Sequence, residues 1–148
     1  MSNETVGNGR KDPGGTDGRH ILLVDDDLSY LKMVRGWLSE KYQITAAKSG
    51  NQALAYLEGH AVDLILLDFE MPEMNGPQVL LQIRQKPQAA EIPVAFLTGS
   101  ADQDAVQRDI GQSVSGYLLK TMDRDSIVKA IDNFFRSGLF STETEDEL

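Results

Sequence analysis

Short, unbroken apolar runs alternate along this chain with stretches whose apolar residues recur every three or four positions. Ile21–Val24, Val62–Leu67 and Ile92–Leu97 are runs of this kind, and each is predicted as a strand buried on both faces. Tyr42–Ala47 and Tyr117–Leu119 are read as two further strands. Between them, Leu28, Leu31, Val34, Trp37 and Leu38 fall at helical spacing, with Lys32, Arg35 and Ser39 on the other faces. Further helices are expected over Gly50–Glu58 with Ala53, Leu54 and Leu57 inward, from about Gly76 to Arg84, and, weakly patterned, around Ala101–Asp109. A last helix spans Asp123–Arg136, with Ile127, Ile131, Phe134 and Phe135 on one face and Asp123 as its N-cap. Five strands alternating with five helices imply an α/β fold, a doubly wound parallel sheet with helices on both faces, because parallel strands need crossover connections.

A sheet of that kind binds ligands outside the carboxyl ends of its strands. Asp68 closes the most apolar run, and Asp25, Asp26, Thr98 and Lys120 stand at the ends of three others. Three carboxylates gathered at one edge repel each other, so such a cluster persists by holding a cation or by raising a pKa. An oxygen-only set without His or Cys suits magnesium, which keeps several waters and takes one or two carboxylates plus phosphate. For an aspartate run alone, capping of the first helix is the simpler account of Asp25–Asp27; it leaves Asp68, Thr98 and Lys120 unaccounted for. Lys120 reads either as a structural salt bridge to Asp68 or, with the Thr98 hydroxyl, as a group waiting for phosphoryl oxygens.

Composition narrows the class further. The 148 residues, 41% hydrophobic, suffice for one domain with a real core, and the absence of cysteine excludes disulfides and thiolate metal sites. Neither a membrane-length apolar run nor an apolar secretory leader is visible, so a soluble, cytoplasmic protein that meets no membrane is expected. Net charge is −9 with no basic cluster, which argues against direct nucleic-acid binding. Residues 1–19 hold five of the thirteen glycines and are predicted as a disordered segment; the folded unit is placed at 20–136, and 137–148 reads as an acidic tail.

At these residues the chain resembles the receiver domains of two-component response regulators over about residues 19–136. The likeness is carried by Asp25-Asp26 after Ile21-Leu22-Leu23-Val24, by Asp68-Phe69-Glu70-Met71-Pro72-Glu73-Met74-Asn75-Gly76, by Thr98 after Pro93-Val94-Ala95-Phe96-Leu97, and by Gly116-Tyr117-Leu118-Leu119-Lys120. It implies a flavodoxin-like strand order 2-1-3-4-5 and a phosphoacceptor that is not an enzyme beyond its own phosphotransfer and dephosphorylation. Asp68 would take a phosphoryl group from the phosphohistidine of a histidine kinase or histidine phosphotransfer protein. Mg2+ or Mn2+ would be held by Asp25, Asp26, Asp68 and the backbone carbonyl of Glu70. Thr98 and Lys120 would bind phosphoryl oxygens, and Tyr117, otherwise an ordinary strand aromatic, would rotate with Thr98 as a switch.

Glu70 and Ser100 occupy positions that tune acyl-phosphate lifetime in this family. Trp37 is expected as a core or rim aromatic, and His20 and His60, with no second histidine near either, as residues without a metal role. Lys120 is followed by Thr121 where the family usually has proline after a cis bond, so its geometry is open: a cis bond before a non-proline residue costs roughly 2.5–4 kcal/mol. The dozen residues after Arg136 are too few to fold alone, so an effect delivered by protein contact is expected, with a phosphorylation-dependent homodimer left open. Two other readings remain: a non-phosphorylated pseudo-receiver that serves as an interaction module, and a haloacid dehalogenase-type phosphatase with Asp25 as nucleophile.

Overall fold

The computed structural model describes residues 18–99 and 114–140. Its strands are β1 (His20–Val24), β2 (Gln43–Ala47), β3 (Leu64–Asp68), β4 (Val94–Thr98) and β5 (Gly116–Leu119). The helices are α1 (Leu28–Leu38), α2 (Gly50–Gly59), α3 (Gly76–Gln85) and α4 (Arg124–Ser137). All strand pairings are parallel, in the order β2-β1-β3-β4-β5, as expected. The helix expected around 101–109 lies outside the described residues, as does Ser100.

The apolar runs are continuous because the sheet is covered twice. Leu22, Val24, Ile65, Leu67, Val94 and Phe96 enter one core with α2 and α3. Their neighbours Ile21, Leu23, Leu64, Leu66, Ala95 and Leu97 enter the other with α1 and α4. Alternate positions thus face opposite helical layers, and every one of these side chains loses its water. Caps fix where the helices begin. Asp27 caps α1 by accepting from the amides of Ser29 and Tyr30, Ser49 caps α2, Asn75 and Gln78 form a reciprocal capping box on α3, and Asp123 caps α4 as expected.

Three details differ from the sequence expectation. Leu28, assigned to the inward stripe of α1, is 54% exposed, and Tyr30 takes the inward position in the first turn at 7%. With Asp27 as the cap, Leu28 is the first helical residue, and the buried stripe begins two positions later, at Tyr30. Arg19, placed with the disordered segment, is anchored: its guanidinium lies 4.6 Å from the Phe135 ring centroid and its carbonyl accepts from the Gln43 amide at 2.8 Å. Beyond α4, Gly138 adopts a left-handed φ of 84° and donates its amide to Phe134 O. The chain then turns back, and Phe140 stacks on Phe134 at 4.4 Å over Gly116, where an added Cβ would lie 2.8 Å from the Phe140 ring. Trp37 packs half-buried on the α1/α4 core, a rim aromatic as expected.

Gly76 sets the loop after β3. It receives α3 directly against the strand end: an added Cβ would meet Asp68 O at 2.6 Å, Phe69 Cα at 2.9 Å and Phe96 Cε1 at 2.8 Å. Two of those atoms are backbone and cannot swing aside. Gly76→Ala is therefore expected to lower stability by about 1–3 kcal/mol, read as a reduced urea midpoint; an unchanged midpoint would show that the approach is not constrained.

Candidate functional site

Each site residue is carried to the sheet edge by a strand whose backbone continues to pair past it. The Asp25 amide donates to Ala47 O at 3.1 Å, Phe69 N to Leu97 O at 2.8 Å, and Lys120 N to Thr98 O at 2.8 Å. Continuing the strand alternation, Asp25, Asp68 and Lys120 fall on the parity of the α1/α4 layer, whereas Thr98 and Tyr117 share the parity of Val94 and Phe96. One edge therefore presents acids and an ammonium on one side, and a hydroxyl and an aromatic on the other.

Carboxylate oxygens of Asp25, Asp26 and Asp68 lie within 4.8 Å of one another. Asp25 is fully buried, Asp68 is 4% exposed, and Asp26 faces solvent. The aspartate run divides its labour: Asp27 caps the helix, while its two predecessors turn to the edge. Lys120 Nζ sits 2.7 Å from Asp25 Oδ2 and 3.7 Å from Asp68 Oδ1. The closer partner is Asp25, not the Asp68 of the salt-bridge alternative. No cis peptide bond occurs among the described residues, so Lys120-Thr121 is trans, and the ammonium still reaches both acids. A turn closed by Met122 N to Leu119 O at 3.1 Å carries the chain through this step.

The electrostatics follow from burial. Desolvation, reinforced by the charge and hydrogen bond of Asp25, raises the Asp68 carboxyl to about 8, against the opposing effects of Lys120 and of the Glu70 amide, which donates to Asp68 Oδ1 at 3.4 Å. Desolvation pulls the Lys120 ammonium down, but its contacts with Asp25, Asp68 and Asp27 outweigh that and leave it raised. A divalent cation fits this site: the donors are all oxygen, they lie within 4.8 Å of one another, and three carboxyl groups stand beside one lysine.

Thr98 closes β4 at 4% exposure. Tyr117 is stacked on Phe96, with centroids 6.3 Å apart, and its hydroxyl is buried without a hydrogen-bond partner among the described residues. Phe96 also meets Phe69 edge-on at 5.2 Å, so three rings run from the residue after Asp68 to β5. Sequence reasoning missed this aromatic row and Tyr30, whose ring centroid lies 4.7 Å from Lys120 Nζ. The signal available was the helical phase set by an Asp27 cap. His20 and His60 flank Tyr56, contrary to their expected isolation: Tyr56 meets the first ring edge-on at 6.1 Å and stacks on the second at 4.1 Å. His20 opens β1, the end of the strand away from the acids.

A doubly wound sheet with clustered acids, a hydroxyl and a lysine at its carboxyl edge has the donor set that a divalent cation and phosphoryl oxygens would call for. The family model described as response regulator receiver domain matches residues 21–132, and the chain belongs to that family. Receiver domains accept phosphate from histidine kinases and bind Mg2+ at an acidic pocket. The chain is 36% identical over 125 residues to the transcriptional regulatory protein GlrR of Escherichia coli K12, covering 84% of this chain and 28% of that protein. A probable cyclic di-GMP phosphodiesterase of Vibrio cholerae is 39% identical over 100 residues, 68% of this chain and 23% of that protein. The chain thus spans about a quarter of the length of these curated relatives. Among solved structures, the chemotaxis response regulator CheY4 of Vibrio cholerae superposes with a TM-score of 0.71 at 27% identity, covering 78% of this chain and 97% of that one. No helix among the described residues is long and apolar enough to cross a membrane.

A pH dependence of stability follows. The Asp68 carboxyl is raised from 3.8 to about 8 on folding, so the folded protein binds the extra proton between those values and stability falls as pH rises through that window. Asp68→Asn keeps the shape and removes the charge. In EDTA at pH 8.5 it is expected to be more stable than wild type by about 1–3 kcal/mol, with the difference vanishing near pH 4. Urea titrations across that range check it; a variant less stable at pH 8.5 would contradict the assigned repulsion.

Proposed function

We propose that this chain is a phosphoacceptor in a two-component relay, with Asp68 as the nucleophile. The observation that carries the reading is the convergence of Asp25, Asp26 and Asp68 within 4.8 Å beside Lys120 Nζ. An Asp68 oxygen attacks the phosphorus of a phosphohistidine on a histidine kinase or histidine phosphotransfer protein. The P–O bond forms as the P–N bond breaks, and the electron pair returns to the imidazole nitrogen. Asp25, Asp26, Asp68 and the Glu70 carbonyl would hold Mg2+ or Mn2+, which when bound neutralises charge on the phosphoryl oxygens. Lys120 leaves Asp25 to pair with one phosphoryl oxygen, and the Thr98 hydroxyl donates to another. Catalysis extends no further than this transfer and the later hydrolysis of the acyl phosphate.

The output is a changed protein-binding surface on a domain taken as residues 20–136, flanked by the segments 1–19 and 137–148, working in the cytoplasm. Tyr117 supports a switch. Its buried hydroxyl has no partner among the described residues, an arrangement that costs about 1–3 kcal/mol where no other partner is met, so its ring gains by rotating once Thr98 moves toward the phosphoryl group. A nearly complete shift requires the phosphoryl group to favour one state by about 10⁴-fold. Sequence relatives named as a transcriptional regulator and a phosphodiesterase support attachment to diverse outputs, and the downstream partner here is a protein that reads this surface.

Acetyl phosphate with Mg2+, followed by peptide mass spectrometry, tests the reading. One phosphoryl group on Asp68, lost in Asp68→Asn and in EDTA, is expected. No adduct with wild type would make the chain a pseudo-receiver, and an adduct on Asp25 would make it a phosphatase-type site; either overturns the proposal.

A further inference from the structure

We infer that Tyr30 is a positioning residue for Lys120, its ring face holding the ammonium over the acidic pocket. The inference rests on the proposed roles of Asp68 and Lys120. Tyr30 is 7% exposed, in the first turn of α1, with its amide bonded to the Asp27 cap at 3.2 Å. Its ring centroid is 4.7 Å from Lys120 Nζ, inside the range of a cation–π contact. Burial and the nearby charges of Asp25 and Asp68 push the phenol well above its ordinary range, so the ring stays uncharged at working pH and never competes as an anion.

The need for such a platform comes from the loop. Lys120 is followed by Thr121 through a trans bond, and the backbone turn from Leu119 to Met122 does not by itself direct the long side chain. Asp25 holds the ammonium at 2.7 Å only while that carboxylate is unclaimed. A cation drawn to the three acids, or a phosphoryl group on Asp68, changes the partner, and a flexible four-carbon stem would then lose its orientation. A ring face attracts a cation over a broad area without demanding one direction. Tyr30 can therefore keep Lys120 in place while it passes from Asp25 to a phosphoryl oxygen.

The test uses the full chain with Tyr30→Phe, Tyr30→Leu and Tyr30→Met, the last serving if the leucine variant folds poorly. Two readouts are taken: the rate of Asp68 phosphorylation by acetyl phosphate with Mg2+, and the NMR shifts of the Lys120 ε-methylene protons, which a ring face moves upfield. Tyr30→Phe should match wild type in both. Tyr30→Leu or Tyr30→Met should lose the upfield shift and slow phosphorylation by about 3- to 30-fold, the range of a partly desolvated cation–π contact. In a Lys120→Met background the same substitution should have no further effect on rate. An unchanged rate, an equal loss in Tyr30→Phe, or an equal loss in the Lys120→Met background would overturn the inference. If wild type takes no phosphate at all, the reading of Asp68 fails instead, while the ε-methylene shifts still report whether Tyr30 holds Lys120.

Discussion

Repulsion between carboxylates that the sheet will not let apart is the constraint on which this molecule is organised. Asp25 and Asp68 are set by the backbones of adjacent strands, β1 and β3, and both are buried. In water such charges would separate or stay hydrated; here neither is open to them. The Ala47 carbonyl fixes the Asp25 backbone, the Leu97 carbonyl fixes the residue after Asp68, and Gly76 lets α3 press on the strand end. One ammonium, from the edge strand β5, compensates part of the charge. Burial, reinforced by the charge and hydrogen bond of Asp25, still raises the Asp68 carboxyl to about 8 with that ammonium beside it.

That arrangement explains why a fold used for many chemistries would serve phosphoryl transfer in this chain. Among the described residues the site holds no general base or leaving-group acid beyond its aspartates. What it offers is charge poised to be neutralised, and phosphoryl transfer is promoted mainly by positioning and electrostatics. The site is also in packing contact with the edge strand. Interiors are close-packed, so a displaced ring moves its neighbours. Phe69 follows Asp68, contacts Phe96, and Phe96 stacks on Tyr117, placing three rings between the acid and the edge strand.

How much of this could be read from residues alone depended on the range of the interaction. The strands were legible because each is buried on both faces, so Ile65 and Leu66 are both apolar although they point into different cores. The caps at Asp27 and Asp123 depend on bonds three residues long or shorter. The edge acids were legible because strand ends are predictable from where apolar runs stop. What was not legible needed contacts across the fold. Leu28 and Tyr30 lie on opposite margins of the stripe through Leu31 and Val34, and only packing chooses between them. Lys120 could have been aimed at either acid; its 2.7 Å contact with Asp25 is a choice among three-dimensional neighbours. Phe140 was read with a tail, and its seat exists only because Gly116, distant in sequence, lacks a side chain.

The trans bond after Lys120 shows how a local departure is absorbed by long-range structure. A proline there would fix the loop through its own ring and give the lysine a preset exit. With Thr121 in its place, direction has to come from outside the loop: from Thr98, whose carbonyl takes the Lys120 amide, from Asp25, which takes the ammonium, and from the face of Tyr30. Those three residues sit on β4, after β1 and on α1. The lysine's position is therefore a property of the assembled domain, and any event that shifts α1 against the sheet alters the charge presented to Asp68. The Asp27 cap and the buried Tyr30 ring belong to one turn of α1, so loss of that turn would disturb the α1/α4 core and the surroundings of Lys120 together.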